Sequence, residues 1–156
     1  MAITQAMSTS FKAELMLAVH DFRVGGDTFK LAMYTSSASI DANTTAYTAS
    51  NEVTGTNYTA GGGTLVNLGV VTSNNNASSG TGFTDFSDLT FANSTITARG
   101  ALIYNTTPSA LANSGATLTN AAVASLDFGS DKSSTDGDFT IIFPTASNTT
   151  AIIRIV

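Results

Sequence analysis

The chain has 156 residues, a length that suits one domain, and a hydrophobic fraction of 42%, enough to build a core. Charged residues make up only 11%, about half the usual share, and the formal net charge is −5. The six basic residues (Lys12, Arg23, Lys30, Arg99, Lys132 and Arg154) are scattered, so direct binding to nucleic acid is not expected.

Thr, Ser and Asn take the place of the charges, at 26, 18 and 12 residues. Thr favours strands, whereas Ser and Asn favour turns and sit poorly inside helices, so the composition points to a mainly β fold with an uncharged polar surface. There is no cysteine, hence no disulfide and no thiolate metal site. No run nears the roughly 18 apolar residues of a membrane span, and no secretory leader is expected before Lys12.

Residues 1–7 are neutral and unpatterned, as a flexible arm would be. Over 8–23 a helix is predicted, because Phe11, Leu15, Ala18, Val19 and Phe22 fall on one helical face with Lys12, Glu14 and Asp21 elsewhere. Ser8, Thr9 or Ser10 would cap it, and Gly25-Gly26 would stop it.

From Thr28 the period becomes two, and strands are expected through 28–156. Phe29, Leu31 and Met33 alternate with Lys30, Ala32 and Tyr34. The polar stretch 35–63 reads as a surface loop with one short edge strand around 52–59. Val66, Leu68 and Val70 mark another strand, and 74–82 a turn. Phe83 to Phe91 is the next candidate strand. In 95–104, Ile96, Ala98, Leu102 and Tyr104 are assigned to one face and Arg99, Ala101 and Ile103 to the other. A loop over 105–117 precedes a strand bearing Ala122, Ala124, Leu126 and Phe128. A polar hairpin connection is expected over 129–138, then Phe139, Ile141 and Phe143, and a last strand with Ile153 and Ile155. The sum is a single domain, 1–156, built as an antiparallel β-sandwich or jelly-roll-like barrel with one N-terminal amphipathic helix.

Motifs for chemistry are sparse. His20 is the single histidine; it lies beside Asp21 with no G-x-S-x-G in the chain, so it reads as a packing residue, and a histidine-based metal site would need a second one. Asp127, Asp131, Asp136 and Asp138 form the best carboxylate cluster. The EF-hand pattern fails, with Asp136 in the glycine position and Ile142 in the glutamate position, and Asp136-Gly137 suits a solvated turn. Asp127-Phe128-Gly129 matches a kinase magnesium motif in letters alone. Gly61-Gly62-Gly63 lacks the Gly-Lys-Ser/Thr of a phosphate loop. Six Asn-x-Ser/Thr sequons, at Asn43, Asn57, Asn76, Asn93, Asn105 and Asn148, follow largely from composition. No catalytic, cofactor-binding or metal-binding residue is assigned, no cofactor is implied, and an enzyme is not expected.

Several segments occur in a specific order: Ser10-Phe11-Lys12, Val19-His20-Asp21-Phe22, Asp27 to Ser36, Thr45 to Thr48, Glu52 to Gly62, Thr97 to Asn105, Leu126 to Lys132, Gly137 to Pro144 and Ile152 to Ile155. This order resembles a family of small virion structural proteins of tailed bacteriophages, over most of the chain. An Asn-rich insert at 73–80 and a longer loop at 106–117 depart from the family pattern. The resemblance implies a virion protein made in the host cytoplasm, in particular a decoration or cement protein of the head. Its expected partners are the major capsid protein or other virion proteins and its own copies, a closed trimer above all. No membrane partner is expected. A tail or fibre component, or a carbohydrate-binding module for host attachment, is the alternative.

Overall fold

A computed structural model of the chain describes residues 2–73, 80–109 and 118–156. It is mainly β, with two antiparallel sheets stacked as a sandwich and one short N-terminal helix. The strands are β1 (Ala6–Met7), β2 (Phe29–Tyr34), β3 (Gly63–Thr64), β4 (Asn67–Ser73), β5 (Thr81–Phe86), β6 (Leu89–Asn105), β7 (Ala121–Ile141) and β8 (Ile153–Ile155), and helix α1 is Thr9–Met16. The larger sheet has the order β1-β7-β6-β2-β3 and the smaller β4-β5-β8.

The expected alternation in β2 holds. Phe29, Leu31 and Met33 enter the core between the sheets, where Phe86 of β5 lies 5.6 Å from the Phe29 ring and Ile153 of β8 also packs. Ala32 and Tyr34 point the other way, into a second core with Ile3, Ala38, Ile40, Leu102, Tyr104 and Ala122. The large sheet is therefore covered on both faces, which explains why the centres of β6 and β7 read as continuous apolar runs rather than clean alternations.

Residues 35–62 are thus not a plain surface loop. Ala38, Ile40, Val53 and Tyr58 are buried anchors in an otherwise polar stretch. The short edge strand expected around 52–59 is reduced to two single bridges, Tyr34 with Glu52 and Thr56 with Thr95. The chain returns to the sheet edge as β3, where Gly62 has φ of 70° and a Cβ there would strike the Leu31 carbonyl. Only glycine fits that approach.

β6 and β7 form one ribbon, 17 and 21 residues long, well beyond the usual strand of about 3–10 residues. The polar hairpin expected over 129–138 is instead part of β7. Thr97 pairs with Ser133, Ile96 with Ser134 and Ser94 with Gly137. Hydroxyl pairs reinforce the ladder: Ser94 to Ser134 at 2.8 Å and Thr97 to Ser133 at 2.8 Å. Serine and threonine that would suit a turn are serving here as cross-strand partners.

The ribbon is irregular at its middle. Ala98 pairs with Lys132 but Gly100 with Asp127, so residues 128–131 bulge from β7. The bulge exchanges the faces of β6. Ile96 and Ala98 share the inter-sheet core with Ala101 and Ile103, while Leu102 and Tyr104 lie on the opposite side. The two-faced assignment drawn from strict alternation fails at this point, because a bulge breaks the period of two.

The N-terminal region also departs from expectation. Within the segment 1–7 expected as a flexible arm, β1 pairs Ala6 and Met7 with Ser125 and Ala124 and Ile3 is buried, so residues 3–7 are tied down. The helix ends at Met16 instead of 23. Leu17 caps it, and Ala18 takes a left-handed backbone with φ of 55°. Ser8 holds the N-cap position without a side-chain cap bond. Phe11, Val19 and Phe22 do reach the core, but the last two arrive from a turn, and Ala18 is exposed. The span read as one strand from Phe83 to Phe91 divides at Ser87-Asp88 between the two sheets. The expected turn over 74–82 and loop over 105–117 lie largely outside the described residues; Thr81 and Gly82 belong to β5, and Asn105 to β6.

Candidate functional site

Two buried polar networks hold most of the groups that could do chemistry. The first centres on His20, whose side chain is fully buried against Phe11, with ring centroids 4.9 Å apart. Its Nε2 lies 2.7 Å from Glu14 Oε2, and its Nδ1 lies 3.0 Å from Asn105 Nδ2. The amide orientation of Asn105 is fixed, since Oδ1 accepts from Thr107 N at 2.9 Å and Nδ2 donates to Asp27 Oδ2 at 2.7 Å. His20 Nδ1 is therefore the acceptor and Nε2–H the donor to Glu14. Both ring nitrogens are engaged. The dyad ties the end of α1 to the end of β6, which agrees with the packing role expected of His20, and Glu14 lies in the same interior rather than on an outer helix face. No signal in the sequence marked Asn105 or Asp27 as members: Asn105 comes from the far end of β6, and Asp27 lies in the bend before β2, where nothing in the local pattern shows it turning inward.

The second network gathers all four tyrosines of the chain around one carboxylate. Glu52 accepts from Tyr58 Oη, Tyr47 Oη and the Gly61 N–H, each at 2.7 Å. Tyr58 Oη also accepts from Met33 N at 2.8 Å. Tyr104 donates to the Gly61 carbonyl and Tyr34 to the Thr48 carbonyl, both at 2.7 Å. Burial, joined by the Glu52 carboxylate, drives the Tyr58 and Tyr47 phenols well above their ordinary range. Burial pushes Tyr104 up to about 12. These phenols act as hydrogen-bond donors that pin loop 35–62 to the sheet.

The carboxylates of β7 do not converge. Asp127 Oδ1 accepts from Gly129 N at 2.9 Å and Arg99 Nε at 3.3 Å, so that the Gly129 N–H, with Arg99 adding to it, holds its carboxyl below the usual range. The Asp127-Phe128-Gly129 triplet is the opening of the bulge, with Gly129 at φ of 74°. Asp136, also left-handed, accepts from Thr95 Oγ1 at 3.2 Å, and Asp138 accepts from Asn93 N at 3.0 Å. Asp127, Asp136 and Asp138 thus each have a separate partner on β6, and Asp131 is exposed on the bulge. Among the described residues, no three His, Cys, Asp or Glu side chains come together as a possible metal-binding group. A surface depression of about 480 Å³ is open and lies along Phe128, Lys132, Asp138, Phe139 and Ile142.

What the surface does present is apolar. Val66 is 62% exposed, Leu68 47%, Val70 59% and Val71 49%, all on or beside β4. Val24 and Ile155 are exposed as well, Val24 lying against Gly69 of β4. Isolated exposed aliphatics are ordinary, whereas a contiguous group on one strand is characteristic of an interaction surface. Val66, Leu68 and Val70 were legible as a strand; their exposure was not, since alternation is read as a sign of burial. No helix among the described residues is long and apolar enough to cross a membrane.

Comparison with known proteins supplies no relative: no protein-family model, no curated protein and no solved structure matches the chain.

Proposed function

We propose that this chain is a structural protein of a tailed-phage virion, a decoration or cement protein that binds and stabilises the head shell. The observation that carries the assembly part of this reading is the exposed apolar group on β4, Leu68, Val70 and Val71. Supporting it, His20, Glu14 and Glu52 are committed to internal hydrogen bonds that hold loops to the sheet. The phage-head part rests on the order of segments in the sequence. A weak contact repeated over many lattice positions gives durable attachment through multivalency, with no need for a deep pocket.

A sugar-binding module would instead offer aromatic platforms beside polar groups. Here Tyr34, Tyr58 and Tyr104 are buried, and Tyr47 stacks on Tyr104 with centroids 4.8 Å apart. The tyrosines therefore serve the Glu52 network, which favours the assembly reading.

The test is co-sedimentation of the purified protein with assembled, empty shells and, separately, with unassembled coat subunits. A site spanning neighbouring capsomers binds the shells alone. Binding should survive moderate salt, since six scattered basic residues cannot support a steep ionic dependence. Equal binding to loose subunits, or none to shells, would overturn the proposal.

A further inference from the structure

Every open sheet ends in strands whose outer N–H and C=O groups lack partners, and proteins protect such edges by shortening them, charging them or covering them. The edges of this molecule are treated unequally. β3 and β1 are two residues each, and β8 is three residues with Arg154 at its centre. β7 is long, and β1 covers only Ala124 and Ser125, but its uncovered length carries Asp127, Asp131, Lys132, Asp136 and Asp138. β4 is neither short nor charged, and its one irregularity is the bulge between Asn67 and Val70, where Gly69 has φ of 86° and Val24 lies against it. It is seven residues long, has no charged side chain and, among the described residues, pairs only with β5, through Val70 with Thr84, Val71 with Phe83 and Thr72 with Gly82. Neighbouring Val70 and Val71 point to opposite faces of the sheet and both are exposed, so the strand is apolar on its two faces and, among the described residues, unpaired along its outer edge.

We infer that β4 pairs antiparallel with β4 of a second copy of this chain, joining the two small sheets into one continuous six-stranded sheet, β8-β5-β4 followed by its twofold mate. A twofold contact brings each strand against itself, so any charge on it would meet a like charge nearby, at a cost. An uncharged strand with two β-branched residues at its middle escapes that cost and suits a pleated, half-buried environment. The same composition gives no electrostatic handle for a chemically different partner, and this favours the second copy over a foreign strand. Because the contact is isologous, it makes a dimer and not the trimer expected from the sequence. It draws on the same exposed strand as the assembly reading above, but it is tested on purified protein without shells, so that its failure and the failure of shell binding are distinguishable.

The experiment is sedimentation velocity over a wide concentration range on the full chain and two variants. The wild type should move from monomer to dimer. Val71→Lys restores the missing edge charge and should raise the concentration needed for dimerisation by about tenfold or more. Ile142→Lys, which changes an exposed aliphatic far along the chain and off β4, should leave it unchanged. Amide hydrogen exchange on the wild type provides a readout free of any folding defect: alternate β4 amides should gain protection as concentration rises. A monomer at every concentration, a trimer, equal dissociation by Ile142→Lys, or a dimer with unprotected β4 amides would each overturn the inference.

Discussion

At the residue scale, the buried acid Asp85 illustrates how this protein handles charge. The residue has no exposed surface, and its carboxylate accepts from Phe86 N at 2.9 Å and Ile152 N at 3.3 Å, binding β5 to the segment that leads into β8. Burial pushes its carboxyl above the ordinary 3.8, and the two backbone donors oppose that shift without cancelling it. A raised folded-state value means the folded protein holds the proton more tightly than the unfolded chain. The resulting stabilisation is complete below the unfolded value and is lost as pH rises through the folded one. Asp85→Asn should therefore flatten the dependence of stability on pH just above 3.8, while other carboxylates keep their own contributions. Urea unfolding of both proteins at a series of pH values measures this difference. An identical pH profile for the two would show that Asp85 is ionised as readily in the folded chain as in the unfolded one. Side chains of this kind are hard to foresee: Asp85 sits between Thr84 and Phe86 in a strand whose neighbours say nothing of its burial. The same holds for Glu52, whose partners Tyr47, Tyr58 and Gly61 are close in sequence yet gave no motif.

At the element scale, the core is assembled by strand ends as much as by strand centres. Phe143 lies just beyond β7 and is buried, its ring 5.8 Å from Phe86, and its N–H donates to Asp88 Oδ1 at 2.9 Å. The end of the long ribbon is thereby anchored to the connection between the two sheets. Phe143→Ala should cost about 3–5 kcal/mol in equilibrium unfolding, through lost burial and the cavity left behind. A loss under about 1 kcal/mol would mean that the ribbon end is not part of the packed core. The alternation of Phe139, Ile141 and Phe143, together with Phe29 and Ile153, made these core positions readable in advance, because the period of two is undisturbed there. Reading failed where backbone irregularity intervened. The bulge at 128–131 exchanged the faces of β6, the left-handed Ala18 shortened α1, and Asp136-Gly137, whose residues suit a hairpin turn, sits at another irregularity inside β7, where the register shifts between the Ser94–Gly137 and Ile96–Ser134 pairs. Such features depend on the partner strand, which local sequence does not contain.

For the molecule as a whole, the large sheet is covered on both faces, and the small sheet, with the residues flanking its strands, carries most of the exposed large aliphatics among the described residues. Its outer strand β4 is the apolar, uncharged edge, and the carboxylates are spread along the ribbon instead of gathered at a pocket. The mainly β sandwich with one N-terminal helix was evident from composition and periodicity. The apolar edge was not, because nothing in a strand's sequence says which of its sides lacks a neighbour. Buried hydrogen bonds that hold loops to the sheet, together with an exposed apolar strand, accord with the proposed role in assembly. The direct test of the proposed role is a count and location of this chain in purified phage particles by cryo-electron microscopy with quantitative mass spectrometry. The account predicts copies in the hundreds spread over the head shell. A few copies confined to the tail, or none in the particle, would contradict it.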